Sequence, residues 1–136
     1  MSENLKLFLG ADEGGADDGL AELALRCQRE GYQLVRHYRS SEIIIKAQKR
    51  LDLVEIAGGW TDICVAKTAG FALEREDIKH VIVHIDKCRS GPVDTGESPD
   101  SQAKRIEDLY WGIDYDLRND ERIVVLPSKR VLKSYF

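Results

Sequence analysis

The sequence predicts an α/β protein with a Rossmann-like fold, in which a mostly parallel sheet of about five strands lies between helices in three layers. Short apolar runs alternate along the chain with segments of helical periodicity, as expected for a parallel sheet. The run over residues 51–57 is apolar on both faces, which is typical of a central strand covered by helices on each side. We therefore expect one domain over residues 1–136.

Size and charge narrow the class of protein. With 136 residues, 43% of them hydrophobic and 32% charged, the chain can bury an ordinary core without metals or disulfides. A net charge of −4 argues against nucleic acid or an anionic membrane as the main partner. No apolar run could span a bilayer and the first residues lack the apolar core of a signal peptide, so we expect a cytoplasmic location. Three cysteines without metal spacing predict free thiols, with no metal site and no cofactor.

The chain opens with a strand over residues 5–10, a loop over 11–19 and a helix over 20–30. Gly31 ends this helix. The apolar positions have the spacing of one buried helix face: Leu20, Leu23, Ala24 and Cys27.

The loop over residues 11–19 contains glycines, but its acidic side chains disfavour a bare phosphate unless a Mg²⁺-like ion intervenes. Asp12 directly follows the strand, where a carboxylate can act as a base or orient another group. The alternative is a solvated acidic loop whose aspartates cap the helix.

The next segment contains a second strand and an ambiguous stretch. Residues 32–38 predict a strand, whereas residues 42–50 fit either a strand or a helix. A crossover to a parallel strand favours the helix. Lys46 lies in this stretch, where a lysine beside other basic residues is usually a solvent-facing charge.

Residues 51–72 form the stretch around which the chain is organised. After the central strand, Gly58 and Gly59 predict a turn, and Thr61 or Asp62 can cap the helix that follows. Cys64 then lies in the first helical turn, where the helix dipole lowers a thiol pKa and favours a reactive thiolate. Because this helix is apolar nearly all round, the alternative is a buried cysteine that acts as a small hydrophobe.

The C-terminal half predicts two further strands. Residues 80–86 form one that ends at Asp86, with His80 and His84 on one face as a metal pair or as partly buried polar residues. A loop over 88–100 precedes a helix capped by Ser98, and residues 122–126 form the last strand. The apolar residues over 131–136 pack on their own sheet or contact a second copy in a homodimer.

The stretch from Gly58 to Cys88 resembles the isochorismatase-like cysteine hydrolases, which include nicotinamidases. Their hallmark is a strand ending in glycine, then Thr-Asp, an apolar residue, Cys-Val and a Thr-Ala pair. The matching residues here are Gly58, Thr61, Asp62, Ile63, Cys64, Val65, Thr68 and Ala69, followed by Asp86 and Cys88.

The resemblance implies that Cys64 is a nucleophile that attacks an amide-type carbonyl and forms a thioester. It implies that Asp12 accepts the proton and that Lys46 stabilises the thiolate and developing charge. It also implies an oxyanion hole or ligand loop in the segment before the cysteine, made by Gly58, Gly59, Trp60 and Thr61.

A second resemblance is to type B ribose-5-phosphate isomerases. It rests on the opening over residues 9–15, on Gly31-Tyr32 after the first helix, and on residues 119–126. The catalytic cysteine of that family falls at Ala57 here, which implies a binding or regulatory descendant.

Two functions therefore stay open. One is a cysteine hydrolase acting on a small amide or a related C–N or ether substrate. The other is a non-catalytic protein that binds a small ligand or a protein partner. An exposed Cys64 thiol in a pocket favours the first, and a Cys64 buried among apolar atoms favours the second.

Overall fold

In a computed structural model of the chain, the described residues are 2–10, 20–36, 39–59, 64–89, 98, 101, 104, 108 and 120–126. Strands and helices alternate as predicted, in the order β1 (Ser2–Leu9), α1 (Leu20–Arg29), β2 (Gln33–Val35), α2 (Ser40–Lys46), β3 (Arg50–Gly59), α3 (Ala66–Leu73), β4 (His80–Arg89) and β5 (Ile123–Leu126). The strands form a parallel sheet in the order β2-β1-β3-β4-β5. This confirms the predicted α/β class and the central position of β3.

The sheet has an apolar core on each face, so the molecule has three layers. On one face Leu7 of β1 and Ile56 of β3 pack with Ile44 of α2 and Ala69 of α3. On the other face Phe8 and Ala57 pack beneath α1. The residues that α1 buries there are the four with the predicted spacing: Leu20, Leu23, Ala24 and Cys27.

Gly31 ends α1 as predicted. Its φ of 95° lies in the left-handed region, and its N–H donates to the carbonyl oxygen of Gln28 at 3.1 Å. The N–H of Tyr32 donates to the carbonyl oxygen of Cys27 at 3.0 Å. These two bonds form a Schellman motif, which turns the chain from α1 into β2.

The ambiguous stretch is a helix up to Lys46, because α2 is the crossover between the parallel strands β2 and β3. The hydroxyls of Ser40 on α2 and Thr68 on α3 lie 2.7 Å apart in a buried hydrogen bond, which joins the two helices. β2 is shorter than predicted, with strand structure over Gln33–Val35 alone within the described part of residues 32–38.

Two predictions about strand ends are wrong. Gly58 and Gly59 continue β3 instead of forming a turn, because Gly58 pairs with Leu9 on one side and with Cys88 on the other. Likewise β4 does not end at Asp86: it continues to Arg89 and so includes Cys88. The sequence shows apolar alternation but not this pairing between distant strand ends.

β4 contains an irregularity that the sequence does not predict. From Ile56 to Gly58 β3 advances two residues, whereas β4 advances five between their partners Val83 and Cys88, which leaves three extra residues in β4. The Cys88 thiol donates to the carbonyl oxygen of His84 at 3.1 Å within this segment. An odd number of extra residues reverses the alternation of side chains, so Cys88 joins the same core as Val83.

The remaining predictions concern the residues that follow β4. The N–H of Ser101 donates to Ser98 Oγ at 3.1 Å, which supports the predicted helix cap. The apolar residues over 131–136 lie outside the described residues. In the part of the chain that the structure describes, no helix combines the length and the apolar character needed to cross a membrane.

Candidate functional site

The sheet order creates a crevice at the carboxyl ends of β1 and β3. After β1 the chain crosses to β2 on one side, whereas after β3 it crosses to β4 on the other side. The crossovers that leave these two neighbouring strand ends therefore lead to opposite sides of the sheet. In open α/β sheets, ligands bind at this kind of topological switch point.

Glycines let the two strand ends approach closely at this edge. Gly10 has a φ of 74°, and a Cβ added to it would lie 2.9 Å from the carbonyl oxygen of Gly59. Its N–H donates to the carbonyl oxygen of Val35 at 3.1 Å, which fixes Gly10 against β2 as well. Gly58 has a φ of 108°, and a Cβ there would collide with the carbonyl oxygen of Leu9. At the described residues Gly10, Gly58 and Gly59, the floor of the crevice is therefore main chain without side chains.

Cys64 lies at the same edge, just before α3. Cys64 and Val65 are π-helical and continue without a break into α3 at Ala66, so Cys64 lies at the N-terminal end of the described helical stretch. Its side chain is partly buried and packs against the core that α2 and α3 cover. The thiol thus lies between the two environments considered for it: it is neither fully exposed nor sealed in the core. Cys27 and Cys88 are both buried, and neither forms a disulfide.

The structure does not bring Lys46 to Cys64. Lys46 is the last residue of α2, and the chain enters the amino end of β3 a few residues later, whereas Cys64 follows the carboxyl end of that strand. The Lys46 side chain is 75% exposed, with Nζ 3.7 Å from Glu42 Oε1 one helical turn earlier. This is the solvent-facing alternative that the sequence left open.

Three other predicted site residues lie outside the described residues: Asp12, Trp60 and Thr61. Gly58 and Gly59 are described and form the end of β3, as set out above. The crevice therefore brings together Gly10, Gly58 and Gly59, and Cys64 follows β3 in the chain, just before α3.

His80 and His84, predicted as a possible metal pair, lie in different environments. His80 is exposed at the start of β4, whereas His84 is half-buried with Nε2 2.9 Å from Glu55 Oε1. Among the described residues no group of three or more His, Cys, Asp or Glu side chains could hold a metal ion. Of the two alternatives for these histidines, His84 fits a partly buried polar residue.

Sequence reasoning missed two arginines that fix the opposite, amino edge of the sheet. Arg75 Nη1 donates to two carbonyl oxygens at the C-terminal end of α2, that of Ile44 at 2.6 Å and that of Ala47 at 3.1 Å. Asp77 Oδ2 lies 2.6 Å from Arg75 Nη2 and also accepts the N–H of Leu51 at 3.0 Å. These bonds tie α2 and the turn after α3 to the first residues of β3.

Arg122 likewise ties the end of α3 to the start of β5. It donates to the carbonyl oxygens of Leu73, Arg75 and Ile78, and Asp120 holds its guanidinium with Oδ2 2.8 Å from Nη2. Sequence signals for both arginines exist, since Arg75-Glu-Asp77 and Asp120-Glu-Arg122 each precede a predicted strand.

Comparisons of the chain with protein-family models, with curated proteins and with solved structures found no match.

Proposed function

We propose that the protein binds a small molecule at the carboxyl edge of the sheet, in the crevice between β1 and β3. The observation that carries the proposal is the contact of Gly10 with Gly59 at the switch point, where an added Cβ would lie 2.9 Å from a backbone oxygen. A floor without side chains lets a ligand approach the main chain closely, and backbone groups can then bind it directly. We infer no nucleic-acid or membrane partner.

To test this, fragment-sized molecules are screened for binding to the full chain. Binding is then mapped by NMR from the backbone amide signals of the isotope-labelled protein. We expect fragments that bind to shift the signals of Gly10, Gly58 and Gly59 first. Gly10→Ala should weaken the binding of these fragments by about tenfold or more, because the added methyl would press on the Gly59 carbonyl oxygen and displace the two strand ends that form the crevice. Gly70→Ala is the matched control, since nothing lies within 4 Å of a Cβ at Gly70. Fragments that bind elsewhere, or that bind Gly10→Ala unchanged, would contradict the proposal.

A second candidate function is favoured by the position of Cys64. Its partly buried thiol lies in the turn before α3, on the edge where the ligand is proposed to bind. In this proposal the substrate is a small amide or a related C–N or ether compound. For the amide, the thiolate attacks the carbonyl carbon, the C–N bond breaks, the amine leaves with the proton taken from the thiol, and water hydrolyses the thioester to the acid and the free thiol. Asp12 is the proton acceptor in this scheme. Lys46 has no part in it, because its ammonium lies at the amino edge beside Glu42.

Alkylation of Cys64 by iodoacetamide over a range of pH decides between the two functions. A nucleophile should react with an apparent pKa well below the free-thiol value of about 8.5. Cys64→Ser is the control: loss of labelling in this variant assigns the reaction to Cys64 and not to Cys27 or Cys88, which are buried. If Cys64 reacts only after unfolding, the hydrolase is excluded and the binding function remains.

A further inference from the structure

A second group of polar side chains lies on the face of the sheet that α1 covers. Lys6 of β1 and Glu55 of β3 are direct partners in the register of the two strands, beside the buried Phe8. The group, which we name the α1-face cluster, consists of Lys6, Glu30, Tyr32, Glu55, His84 and Lys87. Polar side chains are unusual here, because strands in the middle of a covered parallel sheet are normally apolar on both faces. The cluster therefore needs an explanation beyond packing.

Two ammonium groups lie beside one aromatic ring in this cluster. Lys6 Nζ is 4.5 Å from the ring centroid of Tyr32, and Lys87 Nζ is 5.2 Å from the same centroid. Each contact alone is a favourable cation–π interaction. Two positive charges around a single ring repel each other, however, unless an anion lies close to both.

In this structure Glu30 supplies that anion. Its carboxylate Oε2 lies 3.0 Å from Lys87 Nζ, and its backbone carbonyl oxygen accepts a hydrogen bond from Lys6 Nζ at 2.7 Å. The hydrogen bond from Lys87 lowers the pKa of the Glu30 carboxyl. The Glu55 carboxylate is engaged by His84 instead, with Nε2 at 2.9 Å. Among the described residues, Lys87 is thus paired with the Glu30 carboxylate, whereas Lys6 is bonded to the Glu30 backbone carbonyl oxygen.

Glu30 is easy to displace. Its side chain is 44% exposed, and it follows the C-terminal end of α1, where the helix dipole disfavours a negative charge. The ion pair can therefore open into water at little cost. Lys87, by contrast, is 21% exposed and stays against the protein.

The Tyr32 hydroxyl provides a second, independent observation. Tyr32 is 3% exposed, and its hydroxyl is buried without a hydrogen-bond partner among the described residues. Burial, aided by the nearby Glu55 carboxylate, raises the pKa of Tyr32, so the hydroxyl remains a proton donor. A buried donor without an acceptor is destabilising, and an oxygen atom of a ligand would relieve it.

We propose that the α1-face cluster binds a small oxyanion, the phosphate or carboxylate group of a ligand, through the ammonium groups of Lys6 and Lys87 and the hydroxyl of Tyr32. Glu30 takes the place of this anion in the free protein and is displaced when the ligand binds. Binding is reversible and forms no covalent bond. The cluster lies beneath the C-terminal end of α1 and shares no residue with the crevice at Gly10, Gly58 and Gly59, so its test is separate from that of the proposed function.

Titration of the full chain with inorganic phosphate and with sodium acetate, at constant ionic strength, tests this site. The backbone amide signals of Gly31 and Tyr32 report binding. Glu30→Gln removes the internal competitor and should tighten phosphate binding by roughly threefold or more, the effect of one exposed ion pair. Lys87→Met should weaken it by roughly tenfold or more. Glu22→Gln on α1 and Lys67→Met on α3 are exposed controls that should leave the affinity unchanged.

Tyr32→Phe separates a ligand-binding role from a structural one. If the hydroxyl is unpaired in the free protein, its removal should leave the melting temperature unchanged or raise it, while the affinity for phosphate falls several-fold. A lower melting temperature would show that the hydroxyl already has a partner and would overturn the proposal. The proposal would also be overturned if neither phosphate nor acetate bound to Glu30→Gln. The same holds if the control variants changed the affinity as much as Glu30→Gln and Lys87→Met do. Binding of acetate without phosphate would identify the ligand group as a carboxylate.

Discussion

At Gly58 the backbone of β3 passes so close to β1 that no side chain fits. Its φ of 108° lies where side chains are strained, and an added Cβ would collide with the backbone of Leu9. Gly70, in the middle of α3, has open space around the position of its missing Cβ. The two glycines are therefore present for different reasons, although the sequence shows the same residue at both positions.

We predict opposite effects of alanine at these two positions. Gly58→Ala should lower the free energy of unfolding by about 3 kcal/mol, from backbone strain and overpacking. Gly70→Ala should raise it by about 0.5–1 kcal/mol, because alanine loses less conformational entropy in a helix. Urea unfolding measures both. Similar losses in the two variants would contradict this account of the β1–β3 contact.

Single residues also show how far a sequence predicts a site. The position of Cys64 just after the central strand follows from local apolar periodicity, and the structure places it within two residues of the expected helix start. Lys46 was matched to Cys64 by order along the chain, which says nothing about the end of a strand at which a residue lies. β3 has ten residues, so its two ends are about 33 Å apart.

Among the elements, α1 and β3 were the most predictable. α1 has a regular apolar face and a glycine stop, and β3 has apolar residues on both faces, so local patterns are sufficient. The length of β2 and the three extra residues of β4 depend on pairing with other strands, which no local pattern records. For the same reason the α1-face cluster was not predicted, since its members come from distant parts of the chain.

The turns before β4 and β5 are built on the same plan. In each, an aspartate two residues from an arginine orients the guanidinium toward backbone carbonyl groups at the end of a helix. Arg75 binds the end of α2 and Arg122 binds the end of α3. Carbonyl groups at helix ends lack partners within the helix, so these arginines act as C-terminal caps supplied by another element.

At the scale of the whole molecule, the two turns in which an aspartate holds an arginine predict a loss of stability in acid. Hydrogen bonds from Arg75 lower the pKa of Asp77, and hydrogen bonds from Arg122 lower the pKa of Asp120. A lowered pKa in the folded state contributes stability that is complete above the unfolded pKa of about 4 and is lost as the pH falls below it. We expect the free energy of unfolding, measured in urea, to decrease from about pH 5 downwards.

Asp77→Asn identifies the source of this loss. The variant should be less stable than the wild type at neutral pH, and the difference should shrink as the pH falls, because protonation removes the same charge from the wild type. Glu42→Gln, which removes an exposed carboxylate 3.7 Å from Lys46, is the control and should follow the wild type throughout. A constant difference between Asp77→Asn and the wild type from pH 7 to about pH 3 would refute the prediction.

The sheet order also bears on how the chain is made. β1 precedes β2 and β3 in the chain, yet it lies between them in the sheet. During synthesis, Leu7 and Phe8 therefore leave the ribosome before either neighbouring strand exists, and both edges of β1 stay unpaired until translation has passed β2 and then Gly59. Throughout this interval an apolar strand is open to chaperones and to association with other nascent chains. A stretch that is fully buried in the folded protein is thus exposed on both edges during its synthesis.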